Sequence, residues 1–111
     1  MKALDLAQKF MDIVFTTGEF DKLRNILADD LQFRGPLYNF DTAEDYINAM
    51  KAAPPEDFEY EMVKSFGKRS SACLIYKFTK PGVETVMTQV FEVENQKIQK
   101  IILIFDTAVF R

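Results

Sequence analysis

Few side chains in this sequence could carry chemistry, and they lie on two stretches. Asp106 closes the apolar run Ile101, Ile102, Leu103, Ile104 and Phe105. A carboxylate buried at a pocket mouth has its pKa raised and can act as a base. Strand alternation instead sets Asp106 beside Ile102 and Ile104, on the far side from such a pocket unless a bulge intervenes. There it is a solvated or capping carboxylate. Gln89 and Tyr76 are the second candidate. An amide can orient a ligand carbonyl or hydroxyl but cannot protonate it, and the same pair could satisfy each other as a structural unit. Tyr38, Tyr46 and Tyr60 either rim a cavity or end at water through their hydroxyls.

The missing residue types are equally informative. The sequence has no histidine. Ser-His and Cys-His pairs and His-ligated zinc or haem are excluded, as is the commonest base near neutral pH. Cys73 is the one cysteine, so neither an intrachain disulfide nor a thiolate cage can form, and no metal or cofactor is expected. The 111 residues suit one domain, residues 1–111, and the net charge of −3 comes with no basic stripe. Nucleic acid is therefore not an expected partner. No window approaches the ~20 apolar residues of a membrane span, and the N-terminus lacks a signal-peptide core. The expectation is a cytoplasmic protein that binds no membrane. Arg34 is expected outward, paired with Asp29, Asp30 or Asp41, and Glu56, Asp57, Glu59 and Glu61 read as a solvated strand face.

The elements that must position these groups follow from periodicity. Leu4, Ala7, Met11 and Val14 recur at helical spacing with Phe10 and Phe15 beside them. That is an amphipathic helix, which Gly18 ends in a left-handed cap. Phe20, Leu23, Ile26 and Leu27 predict a second helix over residues 19–28. A short strand follows, with Leu31 and Phe33 alternating with Gln32 and Arg34 until Gly35-Pro36. Thr42-Ala43-Glu44-Asp45 starts a third helix with Tyr46, Ile47 and Met50 as its stripe, and Pro54-Pro55 stops it. Everything beyond reads as strand, with turns at Lys80-Pro81-Gly82 and Asn95-Gln96. The last strand is predicted over residues 97–107, and its apolar run predicts cover on both faces.

Alternation sorts these strands into two faces. The inner set is large and mostly aromatic: Tyr76, Phe78, Gln89, Phe91, Leu103 and Phe105, faced by Met11 and Phe33. These eight are the expected lining of a ligand pocket. The outer set, Ile75, Val86, Val90, Ile102 and Ile104, is smaller and branched, with charged residues toward its ends. An apolar patch with a charged rim predicts an association surface, here of a homodimer.

Three segments carry a family resemblance: Gly18-Glu19-Phe20-Asp21; Leu27-Ala28-Asp29-Asp30-Leu31-Gln32-Phe33 leading to Gly35-Pro36; and Lys97-Ile98-Gln99-Lys100-Ile101. The chain resembles the nuclear transport factor 2-like superfamily, and within it the SnoaL-like group, over nearly its whole length. The resemblance implies an α+β roll, three helices packed on a strongly curved antiparallel sheet that forms a cone with an internal pocket, and frequent sheet-to-sheet dimers. It also implies where ketosteroid-isomerase chemistry would sit. The base falls on Gly35, the tyrosine of the acid pair on Met11 and its aspartic acid on Gln89, and none of these can do that work. The polyketide-cyclase pattern needs an acid on the closing strand, for which Asp106 is the candidate, and a histidine that is absent. The epoxide-hydrolase pattern finds only Arg34 and Asp106. The leading expectation is a binder of a small hydrophobic molecule. A SnoaL-like enzyme acting on a hydrophobic substrate and a ligand-free dimerisation module are the alternatives. Gln89→Leu is expected to weaken ligand binding and leave the fold intact.

Overall fold

The computed structural model describes residues 2–110. Helix α1 spans Ala3–Asp12 and buries Ala3, Leu6, Ala7, Phe10 and Met11. Asp5 near its start and Lys9 near its end both suit the helix dipole. The helix does not stop at Asp12. It widens into a π-helical turn over Ile13–Thr17, which Gly18 closes at φ 69°. Gly18 N–H donates to the Ile13 carbonyl five residues back at 2.8 Å. The left-handed conformation is the one glycine adopts without penalty.

The second helix differs from expectation. A 3₁₀ helix covers Phe20–Asn25 only, and strand β1 already runs over Leu27–Arg34. The spacing of Phe20, Leu23 and Ile26 is three residues, which a 3₁₀ helix eclipses on one side. Sheet pairing then takes over: Ile98 N–H donates to the Ile26 carbonyl at 2.7 Å, and Leu27 pairs with Ile98. Asp29 and Asp30 lie inside the strand rather than ending a helix. After the short β2 (Asn39–Phe40), helix α2 covers Ala43–Ala52. Thr42 caps it, its hydroxyl accepting the Asp45 N–H at 3.1 Å.

Four long strands complete the chain: β3 (Glu59–Lys68), β4 (Ser71–Lys80), β5 (Val83–Glu94) and β6 (Lys97–Ile104). The six-stranded sheet has the order β2-β1-β6-β5-β4-β3. It is open rather than closed, and it is mixed rather than antiparallel, because β1 pairs with β6 in parallel. The last strand inserts between the first and the fifth, and its direction is set by the tight turn from β5. Asn95 and Gln96 take φ of 52° and 65° in that turn, the left-handed pair a two-residue hairpin requires. Bulges at Val63 and at Gln99 shift the pairing of β3 and β6 by one residue, so Ile98 and Ile101 both face the core.

Helix α1 lies across the concave face, touching β3, β4, β5 and β6, and α2 packs against β1. On that face β4 buries Ala72, Leu74, Tyr76 and Phe78, and β5 buries Met87, Gln89 and Phe91. The last strand corrects a further expectation. Its apolar run is not covered on both sides within one chain, since Ile104 is 55% exposed. Among the described residues no helix is long and apolar enough to cross a membrane.

Candidate functional site

The centre of the concave face is a buried polar pair. Gln89 pairs with Leu74 across the β4–β5 ladder, and Tyr76 lies two residues further along β4 on the same face. The Tyr76 hydroxyl donates to Gln89 Oε1 at 2.9 Å. This bond fixes the amide, leaving its Nε2 group without a hydrogen bond to the described residues. Tyr46, on the core stripe of α2, likewise makes no side-chain hydrogen bond there. Yet among the described residues no fully enclosed polar atom lacks a partner. Gln89 is 3% and Tyr46 4% exposed, so both side chains are nearly enclosed.

Burial raises the Tyr46 pKa, and the Tyr76 hydroxyl raises it further. Burial also raises that of Tyr76, with Tyr60 adding to it, and that of Tyr60, with Asp12 adding to it. All three phenols therefore stay protonated and neutral through the physiological range. Around them lie two groups of rings. Phe33, Phe40 and Phe10 surround Tyr46 at 5.0, 5.6 and 5.8 Å between centroids. Phe15 sits 5.0 Å from Tyr60, 6.0 Å from Tyr76 and 6.2 Å from Phe78.

The eight residues expected to line a pocket are not equivalent. Met11, Phe33, Tyr76, Phe78, Gln89 and Phe91 are buried, while Leu103 and Phe105 are half-buried. Met11 and Phe91 are 0% exposed. A side chain walling an open space carries accessible surface, so these two back the site rather than line it. A Cβ at Gly35 would lie 3.3 Å from the Phe33 ring and 3.7 Å from Leu103, which leaves little room for a longer side chain. Asp106 is exposed, and its carboxylate accepts the Ala108 N–H at 2.9 Å. That bond caps the closing 3₁₀ helix, Thr107–Phe110. Arg34 pairs with Asp41 at 2.7 Å and also donates to the Phe40 carbonyl at 3.0 Å, tying β2 to β1. No group of His, Cys, Asp and Glu able to hold a metal ion occurs among the described residues.

Three contributors were not singled out by sequence reasoning. Phe10 and Phe15 read only as neighbours of a helical stripe. Phe110 packs edge-on against Phe105 at 5.2 Å and tilted against Phe78 at 6.1 Å, under Lys80 Nζ at 5.0 Å. The signal for Phe110 was its position one short turn beyond the last strand. Two surface hollows are also present. The larger, about 750 Å³, is a cleft between residues 14–22 and Lys51, Pro54 and Pro55. The smaller, about 490 Å³, is lined by Ser70, Ser71, Glu92, Val93, Glu94 and Gln99. Neither touches the Tyr76–Gln89 pair.

On the convex face Phe66, Cys73, Val90 and Ile102 form one row across four strands. Ile75, Thr88 and Ile104 form the next. Val86 is 56% exposed and Phe66 55%. Lys77 sits between Glu61 at 3.7 Å and Glu84 at 3.4 Å on this face.

A curved mixed sheet wrapped round one long helix, with a polar pair at its centre, defines a cone-shaped α+β domain of the nuclear transport factor 2-like type. The chain belongs to the SnoaL-like domain family, whose pattern matches residues 7–101. Among solved structures, an NTF2-like protein of unknown function from Cytophaga hutchinsonii superposes with a TM-score of 0.85 at 24% identity, covering 100% of this chain and 96% of that one. A candidate ketosteroid isomerase from Kribbella flavida gives 0.82 at 17%, covering 94% and 77%. An epoxide hydrolase of the LEH-like kind from M. tuberculosis gives 0.81 at 16%, covering 96% and 84%. These likenesses establish the fold. A search of curated proteins finds no match.

Proposed function

We propose that this chain binds a small, uncharged, mostly apolar molecule that presents one hydrogen-bond acceptor to the Gln89 amide. The observation that carries the reading is the amide itself, nearly enclosed among rings and oriented by Tyr76, which engages its oxygen and leaves its N–H donors to a ligand. A donor in an apolar, ring-lined setting favours a carbonyl or ether oxygen and disfavours a charged group, whose desolvation nothing nearby offsets. Asp106, the acid expected from the sequence, is exposed and caps its own turn; binding without chemistry is preferred over catalysis. The test uses prodan, a neutral naphthyl ketone whose emission reports polarity. Wild type should bind it with a blue-shifted emission, and Gln89→Leu should bind roughly tenfold more weakly, the scale of one buried hydrogen bond. No binding by wild type, or unchanged binding by the variant, refutes the reading. Native mass spectrometry of protein taken directly from cells would identify a retained ligand.

The convex face motivates a second proposal, a homodimer formed by two copies of this surface. Ile75, Val86, Val90, Ile102 and Ile104 supply an apolar centre that no described residue of the same chain covers. Both signs of charge are interspersed on the same face, which a two-fold contact can pair with itself. Sedimentation should give a dimer at micromolar concentration, and Ile102→Lys with Ile104→Lys should give monomer. A monomeric wild type refutes the proposal.

A further inference from the structure

We propose that the cleft beside the π-helical turn is the outer half of the binding site, receiving the apolar tail of the ligand, and that the Phe15 ring is the door between this cleft and the Tyr76–Gln89 pair. The proposal rests on the ligand-binding reading above. The cleft's walls include Val14, Phe15, Phe20, Pro54 and Pro55. Its charges are already compensated: Asp21 accepts from Lys51 at 2.8 Å and pairs with Arg24, and Lys22 pairs with Glu19 at 2.5 Å. Thr16 and Thr17 add hydroxyls to the lining, so the cleft is of mixed polarity but without excess charge, which suits an uncharged tail.

Phe15 belongs to both spaces. It lines the cleft, and its ring also packs against Tyr76, which is 1% exposed. One aromatic layer thus stands between open solvent and the residue that orients Gln89. A ring acts as a door only if there is volume to turn into. The cleft, at about 750 Å³, provides it. The backbone under Phe15 is the π-helical turn, a wide turn that recurs at functional sites.

The closing 3₁₀ turn, whose Phe110 meets the same Phe78 ring that Phe15 meets, is built differently. Phe110 is held between Phe78 and Phe105 with Lys80 above it, and Asp106 caps the turn that carries it. Neither described hollow adjoins it. That turn is a plug rather than an entrance.

The door can be tested without any ligand. In a Cys73→Ser background, Gln89→Cys places the single thiol at the pocket's polar end. Its reaction with N-ethylmaleimide under native conditions is followed by intact-mass spectrometry, with the global unfolding rate measured separately. Phe15→Ala should accelerate labelling by roughly tenfold or more, and Phe110→Ala by less than about twofold, as expected when local opening at one place limits access. Equal acceleration by both, or by neither, overturns the proposal. Should Phe15→Ala lose its native circular dichroism, Phe15→Leu replaces it. The cleft is tested with prodan: Pro55→Lys, on the wall opposite Phe15, should weaken binding several-fold while leaving the labelling rate unchanged. Unchanged affinity overturns the cleft's role. If wild type fails to bind prodan, the ligand reading and the cleft fall together, and the labelling rates still decide the door.

Discussion

Replacing Gln89 by leucine does more than remove a ligand contact. Leucine nearly conserves the volume, so the cavity contribution is small. The larger effect falls on Tyr76. Its hydroxyl donates to Gln89 Oε1 at 2.9 Å, and the residue is 1% exposed. Without the amide that O–H has no acceptor, and an unsatisfied buried donor costs about 1–3 kcal/mol. Tyr76→Phe alone orphans the amide oxygen at a similar cost. Making both changes removes donor and acceptor together, so the double variant should cost less than the two singles summed, by about 1–2 kcal/mol. Urea unfolding monitored by circular dichroism reads this cycle, provided the slopes agree among the four proteins. If the single costs simply add, to within about 0.5 kcal/mol, the hydroxyl does not depend on the amide. The oriented donor on which the binding reading rests would then be lost as well. Gln89→Leu should thus leave the fold intact, as its volume predicts, but lower its stability.

Gly67→Ala should destabilise by about 1–3 kcal/mol, because its Cβ would lie 2.9 Å from Leu4 Cβ where α1 crosses β3; an unchanged thermal midpoint, or no rescue by Leu4→Ala, would contradict this. Asp21 has its pKa held below the usual carboxylate value by hydrogen bonds from Lys51 and then Arg24. A depressed folded pKa stabilises above the unfolded value and that contribution is lost as pH falls through the folded one. Asp21→Asn should therefore narrow the loss of urea stability between neutral pH and pH values below about 4, and an identical loss in both proteins would show that these exposed pairs contribute nothing.

Much of this architecture is legible one residue at a time. Alternation sorts Tyr76, Phe78, Gln89 and Phe91 onto the helix-facing side because each strand is long and its pleat has a period of two. Thr42 and Gly18 announce their helix ends by chemistry local to the chain. The failures share a different origin. Phe20, Leu23 and Ile26 fit a 3₁₀ helix as well as an α-helix, and what ends the segment is Ile98, over seventy residues away. The parallel pairing of β1 with β6 and the bulges at Val63 and Gln99 are likewise properties of partner strands, not of the segments that carry them.

The same distinction governs the site. Gln89 was legible as an inward amide, but its two ends were not. Which oxygen or nitrogen is left over depends on where the Tyr76 hydroxyl lands, a contact between strands. Tyr46 is legible as part of a helical stripe, yet its meaning comes from the rings of Phe10, Phe33 and Phe40 packed around it. Phe15 looked like one more apolar neighbour of α1. Its significance comes from the cleft on its other side, bounded by Pro54 and Pro55, which sequence reading treats only as the stop of a helix. Residue types narrow the chemistry open to this face: the sequence has no histidine, and Asp106 caps its own turn. Which ring has room to move, by contrast, is a property of packing alone.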